Sequence, residues 1–327
     1  MALCSDGEPD PTHTDDALGA PSGGTVAAMS RPMILVLLAL TLTSCGRQAD
    51  STKVPLIEAA PPVTTQSTQP TTTTVPDTTT TTASPPTTTT TISPFARPEW
   101  LGTRPLPLRP DEHGEVQPTP AELLNRRLAT PDVLTPPESD AFVWTIDPIP
   151  DDVLARSSWV PECPVTVEDL AYVTVSHMGF DGRYHTGEII VHASVAEGVV
   201  EVFRLLHEEQ FPIEQMRVIT KEEIDAPPTG DWNDTTSFVC RPAVGSNGWS
   251  QHAYGLAIDI NPFHNPYLKG DLVLPELAST YTDRDDTRPG MVYRDDVVFS
   301  AFSDLGWGWG GNWNTLKDWM HFSQSGG

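Results

Sequence analysis

Apolar positions in the second half of this 327-residue chain fall into two periods. In "AYVTVSHMGF" (171–180) and "HTGEIIVHAS" (185–194) β-branched residues alternate with other positions, and "FDGRYHTG" between them has turn chemistry, so two strands joined by a turn are predicted. The period then changes. In "SVAEGVVEVFRLLHEEQ" (194–210), Val195, Val199, Val202, Phe203, Leu205 and Leu206 recur at helical spacing behind Ser194, which predicts a helix with one apolar face and a serine cap. "PIEQMRVIT" (212–220) suggests a further strand. "LAIDI" (256–260) alternates again, with Leu256, Ile258 and Ile260 on one side and Ala257 and Asp259 on the other. "VVFSAFSDLGWGWGGNW" (297–313) predicts a short helix running into a loop of glycine and tryptophan. Strands with few helices make the fold class α+β, a small mixed or antiparallel sheet with flanking helices.

Upstream of about residue 150 neither period holds. Residues 99–150 are proline-rich, in "RPLPLRP", "PTPAELLNRRLATPDVLTPPES" and "DPIPDD"; apart from one short helix around Ala121 to Leu128 they are expected to wrap or link. Between Pro61 and Thr91 there are 17 threonines in 31 residues and no lysine or arginine. Such a segment has too little apolar surface to offset its ordering entropy, so 46–98 is expected as an extended tether reaching on the order of 150 Å at ~3.1 Å per residue. Before it, Arg31 precedes an apolar run from Met33 to Leu42, too short to span a bilayer but suited to a secretory signal. Leu42-Thr43-Ser44-Cys45 resembles a bacterial lipobox, in which the cysteine is lipidated; an ordinary signal peptide with a chance cysteine is the alternative. Acidic residues at 6, 8, 10, 15 and 16 do not suit a signal peptide, which makes Met29 the expected start. The expected organisation is an extension and signal over 1–45, a tether over 46–98, a wrapping segment over 99–150 and a domain over 151–327. The expected location is extracytoplasmic, anchored by lipid on Cys45 and facing the cell wall.

Charge narrows the partners. With 44 acidic residues against 19 basic and a net charge of -25, the chain would be repelled by phosphate backbones and anionic membrane surfaces, so no nucleic-acid partner is expected, and membrane contact only through the lipid. A monomer is expected. Cys4 and Cys45 set aside, Cys163 and Cys240 remain as a pair in an exported domain, which favours a disulfide over two buried thiols. No CxxC occurs, which argues against a thiolate metal site.

"SQHAYGLAIDINP" (250–262) carries the chemistry. A carboxylate between Ile258 and Ile260 needs a partner, because burying it alone is costly. His252 precedes Asp259 by seven positions: ~10 Å on a helix and more than ~20 Å on a strand, too far in either case to share an ion. The chain must bend, and Gly255 is where it can. The best third ligand is His321 in "KDWMHFS"; two imidazoles and one carboxylate with an open fourth position describe a catalytic zinc site.

"SQHAYGLAID" follows a Ser-x-His-x-x-Gly-x-Ala-x-Asp pattern, and "DWMHF" supplies a later histidine motif. Together they resemble the zinc D-Ala-D-Ala carboxypeptidase family (peptidase M15, VanY-like), which includes L-alanyl-D-glutamate peptidases, and the resemblance runs from about Asp181 to Phe322. It implies a hedgehog/DD-peptidase-like fold, zinc held by His252, Asp259 and His321, and Asp318 in the place of the acidic general base. Carboxypeptidase branches usually carry glutamate there and endopeptidases aspartate, which tilts the expected bond toward the endopeptidase one. The implied substrate is a peptidoglycan stem peptide. Zinc lowers the pKa of a coordinated water from near ~16 toward about 7, and the base takes its proton. Arg241 resembles the arginine that grips a substrate carboxylate, with a surface ion pair as its alternative, and Ser250 is expected to orient the site or cap its loop.

Other polar residues have plainer readings. His177, His185, His192 and His207 are expected as packed or exposed side chains, His264 as a neighbour of the site, and Asp181 and Asp234 as turn residues. Trp307, Trp309 and Trp313 suit either a groove or a core. The competing function is a wall-binding module that keeps zinc without catalysis; the acid at 318 speaks against it.

Overall fold

The computed structural model describes residue 93 and residues 95–326; Met29, the leader with Cys45 and nearly all of the tether lie outside the described residues. Among those described, no helix is long and apolar enough to cross a membrane.

Alternation builds the largest sheet. Strand β1 (Trp144–Asp147) pairs antiparallel with β2 (Leu170–Met178), which pairs antiparallel with β3 (Tyr184–His192) across the turn. Between β1 and β2 lies helix α1 (Asp151–Arg156). After β3, helix α2 (Ala196–Glu208) lays Val199, Val202, Phe203 and Leu206 against β2. Ser194 is not its cap. The Ser194 hydroxyl and amide are both turned to the His192 ring, at 2.8 and 3.2 Å, forming a 3-10 turn over Ala193–Val195 from which the α-helix continues.

Two expected elements shrink for one reason: their backbone groups find distant partners. In 212–220 only β4 (Gln215–Met216) is a strand, parallel to β5 (Asp234–Thr235), because the Ile213 amide donates to the Met178 carbonyl and the Glu214 amide to the Asn261 side chain. A one-turn helix α3 (Lys221–Ile224) follows β4. The helix expected over 121–128 is a 3-10 turn over Ala121–Leu123; beyond it the Tyr281 hydroxyl accepts from the Arg126 amide and donates to the Leu123 carbonyl.

Two small antiparallel sheets complete the domain. One runs β7 (Tyr267–Lys269) between β8 (Leu272–Leu274) and β10 (Lys317–Asp318); the other runs β11 (His321–Ser323) between β6 (Ala257–Asp259) and β9 (Gly308–Trp309). Helix α4 (Val297–Asp304), capped by Asp296 accepting from the Phe299 amide, packs on α2. The fold is α+β. Ile258 and Ile260 join Phe302, Phe322, Trp307 and Trp309 in the core, so the tryptophans at 307 and 309 pack and do not line a groove.

The proline-rich segment is packed too. Leu123 and Leu128 sit with Phe263, Val273, Leu277 and Tyr281 in a second apolar cluster, joined by Trp100, Leu101 and Leu106. Arg126 is buried and bonds Glu214 at 2.6 and 2.8 Å; Arg97 reaches the same carboxylate at 3.0 Å. Burying a carboxylate is tolerable only with such partners. Cys163 and Cys240 form a disulfide, which fastens the residue before Arg241 to the segment after α1.

Candidate metal centre

The site is assembled from one turn and two strands. Ser250 is the N-cap of a 3-10 turn over Gln251–Tyr254 and accepts from the His252 amide at 3.3 Å. Gly255 ends that turn with φ +67°, and the bend returns the chain into β6. Only glycine serves here, since a Cβ would stand 2.5 Å from the His192 nitrogen. β6 then carries Asp259, whose amide and carbonyl pair with Thr236 on one side while β11 pairs on the other. In that register His321 lies directly opposite Asp259, so the two side chains leave the sheet on one face.

The three polar groups converge. His252 Nε2 is 3.1 Å from His321 Nδ1 and 3.2 Å from Asp259 Oδ2, and His321 Nδ1 is 3.1 Å from Asp259 Oδ1. All three residues are buried. Burial alone would raise the Asp259 carboxyl, but the His252 and His321 rings hold it well below the usual carboxylate range.

These donors fit a zinc ion. A tetrahedral ion with bonds of ~2.0–2.1 Å sets its ligand atoms ~3.3 Å apart, close to the spacing found. His252 Nδ1 lies 2.6 Å from the Ser237 carbonyl, which can only accept, so Nδ1 carries the proton and Nε2 turns a lone pair toward the other two groups. Two electron-rich ring nitrogens and a carboxylate facing one another require a cation or shared protons between them.

Asp318 stands on β10, paired with Tyr267 of β7. Its residue is half-buried, but Oδ1 is sealed from solvent and has no hydrogen-bond partner among the described residues. Burial pushes the carboxyl up to about 7; His321 and Arg241 oppose the rise and the Asp259 charge adds to it. A carboxylate poised there can exchange a proton near neutral pH.

Arg241 lines the same cleft as Asp259, a cavity of about 550 Å³. Its guanidinium bonds only the Pro242 carbonyl at 3.1 Å and pairs with no carboxylate among the described residues, unlike Arg97 and Arg217 in the same cleft. Trp313 lies beside His321, ring centres 5.6 Å apart. The remaining polar residues stay outside the cluster. His185 is held between Asp132 and Asp181 at 2.7 and 3.1 Å, and His264 is buried against Phe180 and bonds Asn233. Asp234 is a buried strand residue paired with Arg217 at 2.7 Å, where a turn residue was expected.

Two parts of the site escaped the sequence reading. Ser237 acts through its carbonyl, which leaves no side-chain signal. Gly310 packs under Asp318, where any Cβ would meet the Asp318 carbonyl oxygen at 2.5 Å; the "GWGWGG" run marks the spot without saying what it packs against.

Residues 244–324 match the profile of a family described as D-alanyl-D-alanine carboxypeptidase. That span contains His252, Asp259, Asp318 and His321, and the match supports a peptidase of the M15 family. No curated protein and no solved structure matches the chain.

Proposed function

We propose that this chain is a zinc peptidase that hydrolyses peptidoglycan stem peptides, cutting either the terminal D-Ala-D-Ala bond or the L-Ala-D-Glu bond. The observation that carries the reading is the meeting of His252, Asp259 and His321 beside a half-buried acid, Asp318, inside the span that matches the peptidase family. Zinc in this cradle would supply Lewis acidity, lowering the pKa of water and polarising the scissile carbonyl.

The chain's own residues do the rest. Asp318 takes a proton from the attacking water and delivers it to the departing amine, a role that its place within electrostatic reach of His321 and Asp259 suits. Arg241 offers an unpaired guanidinium to a substrate carboxylate, which stem peptides carry at D-Ala or D-Glu. Ser250 holds the turn that presents His252, and the Ser237 carbonyl fixes the His252 tautomer. An aspartate at 318 favours the endopeptidase bond. The lipobox-like Cys45 and the threonine-rich tether support a lipid-anchored position outside the cytoplasm, facing the wall.

The test is mass spectrometry of the products after the purified chain is incubated with muropeptides and zinc. Release of free D-Ala identifies the carboxypeptidase, cleavage after L-Ala the endopeptidase, and intact muropeptides with stoichiometric zinc overturn the peptidase in favour of a binding module.

A further inference from the structure

The cleft touches the candidate metal centre at Asp259 and extends well beyond it. From Asp259 and Arg241 it continues past Thr236 and Trp232 to a wall made by the proline-rich wrap, through Arg97, Leu101 and His113. The wrap lies far outside the matched span of 244–324, and it is fixed at several points. The Gly102 amide donates to Asp231 Oδ2 at 2.8 Å, the Leu106 amide to the Pro228 carbonyl at 2.8 Å, and the Gly114 amide to Glu276 Oε1 at 2.8 Å. A segment bonded at each end of the wall is part of a formed surface.

Trp232 sits where wrap and domain meet. Its neighbours are locked: Asp231 by Gly102, Thr229 and Arg126, and Asn233 by the Phe263 amide and Glu214. Yet Trp232 itself is 39% exposed on the cleft wall. A backbone held on both sides presents the indole in a fixed place, at little entropy cost to whatever stacks on it. The nearer end offers the unpaired Arg241 for a carboxylate; this end offers an aromatic face, Leu101 and the half-buried His113 ring, which makes no side-chain hydrogen bond among the described residues. The volume of about 550 Å³ falls within the ordinary range of ligand clefts, and the lining runs from Asp259 to the wrap without a break.

We infer that Trp232 together with the wrap residues Leu101 and His113 forms a distal subsite that binds the part of an extended stem peptide remote from the cleaved bond. The inference rests on the peptidase reading for its substrate and goes beyond it in giving the wrap a part in selection by peptide length. Trp232, Leu101 and His113 are specificity residues; none touches the reacting atoms.

The test uses the full chain with zinc and two substrates that share the scissile bond, a pentapeptide stem and its shortest cleavable fragment. Trp232→Ala and His113→Ala should raise KM for the pentapeptide about tenfold, with kcat and zinc content unchanged and the short fragment unaffected. Trp232→Phe should restore most of the loss, and Trp144→Ala, an exposed tryptophan on β1 outside this cleft, should do nothing. Equal effects on both substrates, or none on either, overturn the subsite while leaving the peptidase standing. If the wild type cleaves neither, the peptidase reading falls and calorimetric titration of the pentapeptide decides the subsite: weaker binding to Trp232→Ala supports it, and equal or undetectable binding to both proteins overturns it.

Discussion

Gly310 and Asp318 touch backbone to backbone: a Cβ placed on Gly310 would stand 2.5 Å from the Asp318 carbonyl oxygen and 2.8 Å from its Cβ. The glycine is therefore what lets β10 carry the acid where it is. Gly310→Ala should push β10 aside and lower kcat by roughly 10–100-fold, since displacements near 1 Å in a catalytic group cost on that order. Zinc content should hold, because no ligand lies on β10. Steady-state kinetics beside elemental analysis checks both; an alanine variant with wild-type kcat would show that Asp318 does not need this seat.

Asp318→Asn keeps the shape and removes the proton acceptor. Hydrolysis should fall by ~10²–10⁴-fold with zinc retained. Unchanged product release by that variant would remove Asp318 from the mechanism.

His321→Ala removes one of the three proposed ligands and should lose both zinc and activity. In the wild type, a chelator should abolish hydrolysis and added zinc restore it. Full zinc occupancy in the alanine variant would place the metal elsewhere.

Glu214 gives a pH signature far from the chemistry. Burial opposes its charge, but Arg126 and Arg97 prevail and hold the carboxyl down to about 2. A carboxyl depressed on folding stabilises the protein above its unfolded pKa of ~4.3, and that contribution disappears as pH falls through about 2. Glu214→Gln should cost about 3–5 kcal/mol near neutral pH, since it leaves Arg126 buried without a counter-charge, and it should flatten the loss of stability on acidification. Denaturant unfolding across pH 2–6 measures both.

What the sequence made legible was local. The β2–β3 hairpin, α2 and α4 follow from periods of two and 3.6 residues, and the Gly255 bend follows from two ligands that cannot meet on straight chain. Motif spacing singled out the residues that converge at the metal centre. Long-range polar pairing stayed hidden. Nothing near Ala121 announces that Tyr281 will take over its helix bonds, and nothing near Glu214 announces Arg126, 88 positions earlier. The wall at Leu101 and His113 was invisible for the same reason, because a proline-rich stretch shows no period whether it is packed or free.

The pairing of His321 with Asp259 across two strands has a practical meaning for metal supply. The two side chains are spaced by backbone pairing and by a core of Ile258, Ile260 and Phe322, apolar residues that are not themselves metal donors. On the zinc reading, a core of that kind would let the chain fold apart from metal loading, unlike small zinc modules whose chain collapses only around the metal. Scarcity of zinc would idle the molecules without condemning them, leaving a standing reserve that a later supply of the ion could switch on at once.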